Sequence, residues 1–286
     1  MAKEVKELIF QILGLNNSSS HDTAKFTRLK HNNDLVPMFK SNFEKLAKLI
    51  SPYYNDCYDI QGVTDDGVDV LLKYQTESDF HKIGFQIKSY DDIQNKDWLK
   101  TLKAQLFEAQ GIWKTEDLYI VFCTDSIKHK DKLRNAISEI QKSSDCKIHI
   151  VEPEKALTFY NFTSIDIFTI IYAFYHSNDS RLEKAKNCLE GIAYDEKKFL
   201  INLIVHQFIN HEAPISLEHL QIPENMDICS FYGSQFYNYD SDSDSISYSY
   251  ENNWDLTSFV VEIKTNFEFN DSQLQQFLEK CLIDAQ

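Results

Sequence analysis

Residues 62–90 read GVTDDGVDVLLKYQTESDFHKIGFQIKSY, and their pattern decides the fold. Thr64-Asp65-Asp66-Gly67 is turn chemistry, followed by apolar and β-branched residues that predict a strand over Val68–Tyr74. A second strand is predicted over Lys82–Tyr90. Three of the chain's seven glycines, Gly62, Gly67 and Gly84, fall in this stretch, which points to tight backbone geometry. Sixteen residues lie between Asp69 and Gln86, a hairpin's worth of chain, so the start of one strand lies beside the end of the next. Gln86 and Lys88 are two apart and project from one face, while Phe85 and Ile87 point to the other. A carboxylate, an amide and an ammonium group are thus expected to converge at a sheet edge.

Before this stretch, residues 3–14 predict an amphipathic helix and Asn16–Asp34 a polar loop. Val36–Ser51 predicts a second helix, with Phe39, Phe43, Leu46, Ala47 and Ile50 at helical spacing and Pro52 as its stop. Cys57–Ile60 reads as a short strand. After it, Ile93–Ile112 predicts a helix with Trp98, Leu102, Leu106 and Ala109 on one stripe. Leu118–Cys123 is a continuous apolar run, as in a strand covered on both faces. Lys130–Gln141 predicts a helix and Lys147–Val151 a strand. A meander feeding β-α-β units gives an α/β domain with a mixed sheet flanked by helices and parallel closing strands.

Three regions are expected: an N-terminal helix and polar loop (1–36), the α/β domain (37–160) and a mainly helical acidic C-terminal region (161–286). Charge separates the last two. Residues 1–160 hold 22 Lys and Arg against 24 Asp and Glu, a net of −2, whereas residues 161–286 hold 7 against 20, a net of −13. The first part is able to present a basic face to phosphates, and the second repels them. In the C-terminal region, Ser164–His176, Arg181–Leu189 and Glu196–His211 predict helices, Ser258–Thr265 a strand and Asp271–Ile283 a last helix capped by Asp271 or Ser272. The Asp and Ser run at 240–245 reads as a solvated loop, since it lacks the glycine and terminal glutamate of a calcium loop.

Asp69, Gln86 and Lys88 suit phosphodiester cleavage. Mg²⁺, with Mn²⁺ as a possible substitute, takes oxygen ligands and keeps several waters. Asp69 supplies an anionic ligand, and the Gln86 side-chain oxygen and Ile87 backbone carbonyl supply neutral ones. Lys88 orients the attacking water and offsets charge on the phosphorane. Taken singly, each residue is more often structural. Together they interrupt an apolar strand at the alternation a site requires.

The chain here resembles the PD-(D/E)xK nuclease superfamily, and more narrowly the Mrr-like restriction endonucleases with Q-x-K in place of E-x-K. The resemblance rests on D-G-V-D-V at 66–70 and F-Q-I-K-S-Y at 85–90. Phe43-Glu44 matches the Phe-Glu that often opens such domains, and Tyr119–Thr124 matches the family's apolar strand ending in threonine. It covers about residues 37–160 and implies a restriction-endonuclease-like fold, Asp69, Gln86 and Lys88 as catalytic residues, and Glu44 as an additional metal ligand. It implies a DNA endonuclease of restriction or anti-phage defence. Alternatives on the same scaffold are an inert binding or regulatory module, an RNA nuclease and a junction resolvase. The overall charge departs from the basic character of many such nucleases.

Other chemistries lack their signatures. Gly62 and Gly67 have P-loop spacing but are followed by Val68-Asp69, and no G-x-G-x-x-G, G-x-S-x-G or H-E-x-x-H occurs. Asp125 or Ser126 reads as a helix cap and His81 as structural. The six cysteines form no C-x-x-C pair and no zinc spacing, which predicts reduced thiols in a cytoplasmic protein, with Cys123 in the core. No stretch is long and apolar enough for a membrane span. The acidic, tyrosine-rich C-terminal region is expected to dock a partner protein, form a homodimer interface, or mimic DNA over the site.

Overall fold

The computed structural model describes residues 5–15, 22–50, 59–62, 67–75, 80–140, 147–176, 180–209, 214–220 and 237–248, with single positions 222, 227, 228, 258, 261 and 262. The chain divides into two compact units, 1–171 and 172–286, a division eleven residues beyond the composition change at 160.

The first unit is built on a five-stranded mixed sheet in the order β1-β2-β3-β4-β5: Asp59–Gly62, Val70–Gln75, Phe80–Ser89, Asp117–Cys123 and Lys147–Val151. The first three strands form an antiparallel meander, and β3, β4 and β5 run parallel. Every residue of β4 is buried, because helices cover both faces of the sheet. Helix α1 is Val5–Gly14 and α2 is Val36–Ile50; α3 and α4 span Tyr90–Gln94 and Trp98–Glu108; α5 is Lys130–Ile140 and α6 is Pro153–Tyr160.

The two faces of the sheet differ in partner. On one, Phe85 of β3 meets Phe43 of α2 with ring centroids 4.0 Å apart, and Phe43 meets Phe159 of α6 at 4.9 Å. Asn42 joins the same two helices by donating from Nδ2 to the Phe159 carbonyl at 2.8 Å. On the other, Leu71, Leu118, Ile120 and Phe122 pack with Trp98, Leu102 and Leu106 of α4 and with Leu133, Ala136 and Ile140 of α5. The register sets Gly84, Gln86 and Lys88 beside Leu118, Ile120 and Phe122, so the polar pair lies on the α4 face.

Several expectations need correction. The stretch Asn16–Asp34 is not all loop: Thr23–Arg28 forms a 3-10 turn and His31–Leu35 a π turn running into α2, anchored by buried Phe26 and Leu35. The helix expected over 93–112 is broken at Asn95–Asp97, where the Ser89 capping box has started α3 early, and it ends in a π turn over Ala109–Trp113. Its stripe of Trp98, Leu102, Leu106 and Ala109 is buried as expected. Helix α6, with Pro153 in its first turn, is an addition to the expected elements.

The second unit contains α8 (Ser180–Glu190), α9 (Tyr194–Ile209) and a three-stranded antiparallel sheet of β6 (Ile215–Ser216), β8 (Ser245–Tyr248) and β7 (Tyr237–Asp240); α7 (Ser164–His176) runs across the division. Its described residues are mainly helical, as expected, with this small sheet as an addition. The Asp and Ser run is the exposed turn of the β7-β8 hairpin, closed by Ser243 Oγ and the Asp242 N–H donating to the Asp240 carboxylate. Ser258, Val261 and Glu262 have helical backbone, against the strand expected over 258–265, and the last expected helix lies outside the described residues. Among the described residues no helix is long and apolar enough to cross a membrane.

Candidate metal and active site

Asp69 sits one residue before β2, and its N–H donates to the Phe85 carbonyl at 2.8 Å, which extends the β2-β3 ladder by one rung. Gly67, two residues earlier, lets the chain pack closely against α4. Its φ is +84°, and a Cβ there would lie 2.2 Å from the Gln105 carbonyl oxygen of α4, so no side chain fits.

The structure brings Asp69, Gln86 and Lys88 to the same face. Asp69 Oδ2 accepts from Gln86 Nε2 at 2.7 Å and from the Ile87 N–H at 2.6 Å. In a strand the N–H and C=O of one residue point to the same edge, so the Ile87 carbonyl also faces the Asp69 side. Lys88 Nζ donates to Gln105 Oε1 of α4 at 2.6 Å. The site is not at a sheet edge as expected, because β4 pairs on the far side of β3 and makes it the central strand. Gln86 is consequently 2 % exposed and Lys88 5 %. Burial pushes the Lys88 pKa down, and the charges of Asp69 and Asp92 oppose this only in part.

His31, from the π turn, completes the cluster. Its Nε2 lies 3.1 Å from Asp69 Oδ1, in hydrogen-bond geometry. Its Nδ1 lies 3.2 Å from Asp92 Oδ2 in an ion-pair contact whose angle falls short of a hydrogen bond. Burial disfavours the imidazolium, but the bond to Asp69 and the charges of both carboxylates outweigh it and push the His31 pKa up to about 9. Burial likewise disfavours ionised Asp92. The His31 charge and the Ser89 N–H and Oγ, which donate at 2.8 and 2.7 Å, hold that carboxyl well below the usual carboxylate range.

Glu44 is not brought to this cluster. It is half exposed on α2, with Lys40 4.0 Å away one turn back, and no contact links it to Asp69, Gln86 or Lys88 among the described residues. Phe43 must face Phe85, which turns the next residue toward solvent. Asp125 closes the turn ahead of α5 and does not cap the helix itself, which starts at Lys130: its Oδ1 accepts from the N–H groups of Ile127 and Lys128 at 3.0 Å. His81 contacts Glu116 at 3.0 Å at the far end of β3. Asp65 and Asp66 lie outside the described residues.

Three residues of the cluster, His31, Asp92 and Gln105, were not anticipated. Gln105 alone leaves a trace, as a polar residue at i+3 from Leu102 and i−4 from Ala109 on a buried stripe.

Among the described residues no group of three or more His, Cys, Asp and Glu side chains is placed to hold a metal. The oxygens here are of another kind: the Asp69 carboxylate, the Ile87 carbonyl and Gln86 Oε1. The last is a buried acceptor with no hydrogen-bond donor among the described residues, a state that a hard cation would relieve. The donor set therefore fits one oxygen-liganded divalent ion completed by water. No family model, curated protein or solved structure matches the chain.

Proposed function

We propose that Asp69, Gln86, Ile87 and Lys88 form the active site of a Mg²⁺-dependent endonuclease that hydrolyses DNA phosphodiester bonds on a restriction-endonuclease-like scaffold. The observation that carries this reading is the Gln86 amide, whose Nε2 donates to Asp69 while its buried Oε1 has no partner among the described residues, with the buried Lys88 amine on the same face of β3. Asp69 and Gln86 hold the ion, and the Ile87 carbonyl offers a third ligand. When bound, the ion supplies Lewis acidity toward a phosphate oxygen and makes a bound water more acidic.

Lys88 supplies the rest. Its ammonium has three donors and gives one to Gln105, which leaves two for a phosphate oxygen or the attacking water. In a site stripped of bulk water these donors act on the developing charge more strongly than surface lysines do. Use of the activity in restriction or anti-phage defence belongs to this reading, as does a protein partner or homodimer contact through residues 161–286. Their net charge of −13 suits them to a protein partner better than to DNA.

One observation favours a second reading, an inert nuclease-fold module. His31 already sets a positive charge against Asp69, so the carboxylate is compensated without any ion. The test is cleavage of duplex DNA, single-stranded DNA and RNA in Mg²⁺ or Mn²⁺ by wild type and Lys88→Met. Metal-dependent cutting of DNA that is lost in the variant supports the endonuclease. No cutting of any substrate by folded wild type with either metal removes it.

A further inference from the structure

A second concave feature of the first unit stands apart from the Asp69 cluster. A cavity of about 480 Å³ lies between the 3-10 turn and the end of α6, lined by Lys25, Arg28, Leu29, Leu157, Tyr160 and Asn161. Its volume is in the range of small-ligand sites, roughly 300–1,000 Å³. Lys25 and Arg28 are exposed, and neither forms an ion pair among the described residues. Asp22 also lines the cavity, which leaves it one net positive charge. Leu29, Leu157 and Tyr160 give it an apolar wall, held by Phe26 and Phe39 against the Tyr160 ring at 6.3 and 6.2 Å.

Its place in the fold ties it to the site. Thr23 Oγ1 accepts from the Ser126 N–H at 3.1 Å, after β4, and Lys30 Nζ meets Asp91 Oδ2 at 2.7 Å, after β3. The turn therefore lies across the C-terminal ends of the parallel strands, where ligands of α/β sheets commonly bind. Arg28 precedes His31 by three residues, so their Cα atoms are within roughly 11 Å at full extension. A strand whose scissile phosphate reached Lys88 would run its next few phosphates past this turn.

We infer that this cavity holds one nucleotide of a single-stranded nucleic acid, its phosphate on Lys25 and Arg28 and its unstacked base against Leu29, Leu157 and Tyr160. The inference rests on the endonuclease reading for the strand's path, and the chemistry of the cavity adds the strandedness. The two cations meet a phosphate here only when the chain that carries it enters the cavity, which a flexible single strand does and a paired backbone does not. An apolar wall recognises a base only when that base is free of its stack, which a duplex withholds and a single strand offers.

The test is binding of a short fluorescein-labelled DNA single strand and the matching duplex, followed by anisotropy in Ca²⁺. The proteins are wild type and Lys25→Ala/Arg28→Ala; both positions are exposed, and an unchanged Tm verifies the fold. The double variant is expected to bind the single strand about tenfold or more weakly, with the salt slope reduced by about 0.7 for each phosphate that is no longer neutralised, and to bind the duplex within threefold of wild type. Unchanged single-strand affinity, or an equal loss for the duplex, overturns the inference. If wild type cuts nothing yet the variant shows the expected loss, the endonuclease reading fails and the pocket stands. If wild type cuts and the variant binds the single strand normally, the pocket fails and the endonuclease reading stands.

Discussion

The two faces of β3 carry alternate residues of one short sequence and do opposite things. Phe85 and Ile87 face α2 and α6, where Phe43, Phe159 and Tyr119 complete an aromatic layer. Gln86 and Lys88 face α4 and are just as buried, but among polar partners: Asp69, Gln105 and, through Asp69, His31. The first face gains free energy from apolar burial. The second spends it on desolvating an ammonium group and on leaving an amide oxygen without a donor. A strand needs only one face to fold, and the other is free to hold chemistry that stability alone would not select.

That contrast can be tested by separating activity from stability. The largest effect is expected at Lys88. Lys88→Met is expected to lower the cleavage rate about 10³-fold, roughly 4 kcal/mol of transition-state stabilisation, with a Tm close to wild type, because relief of a desolvated charge offsets the donor taken from Gln105. Rate assays and thermal melts on one preparation give both numbers. Phe85→Ala, on the opposite face, is expected to cost about 3–5 kcal/mol of stability in denaturant titrations and to lose activity only with the fold. Should Lys88→Met unfold the protein, the division between the faces is wrong.

A smaller effect is expected at the hinge between sheet and α4. Gly67→Ala forces a Cβ against the Gln105 backbone and a non-glycine residue into positive φ, with an expected loss of about 2 kcal/mol or more. The same substitution at Gly111, where a Cβ meets nothing, is the control.

The smallest effect is a pH dependence. The Asp92 pKa is held below its usual value of 3.8, so its contribution is present above that value and is lost as pH falls toward the folded-state pKa. In metal-free buffer, the Tm difference between wild type and Asp92→Asn is expected to be constant near neutrality and to shrink below about pH 3.8. It is also expected to shrink above about pH 9, where His31 loses its charge. A difference that grows with acidity contradicts the arrangement.

How much of this was legible follows from which contacts are local. Asp69, Gln86 and Lys88 stand out because alternation along a strand is a two-residue signal, and the hairpin joining them is short. The meander and the parallel closing strands were legible for the same reason, since each strand is next to its sequence neighbour, but the pairing of β4 that makes β3 central was not. His31 and Asp92 were not, because their meeting depends on a polar turn folding back over the ends of β3 and β4. That turn reads as loop by composition, although Phe26 and Leu35 anchor it. Glu44 shows the converse hazard. Its position in a motif suggested a ligand, but helical phase fixed by Phe43 sends it to solvent. In the second unit, the Asp and Ser run concealed a hairpin whose strands lie on either side of it.

The central claim is that Asp69 and Gln86 hold one divalent ion at the end of β3. Electron paramagnetic resonance of Mn²⁺ titrated into wild type, Asp69→Asn, Gln86→Leu and Lys88→Met measures this directly and without substrate. One bound Mn²⁺ is predicted for wild type, with occupancy lost in Asp69→Asn, weakened in Gln86→Leu and retained in Lys88→Met. Mn²⁺ binding that is absent from wild type, or that persists unchanged in Asp69→Asn, contradicts the account.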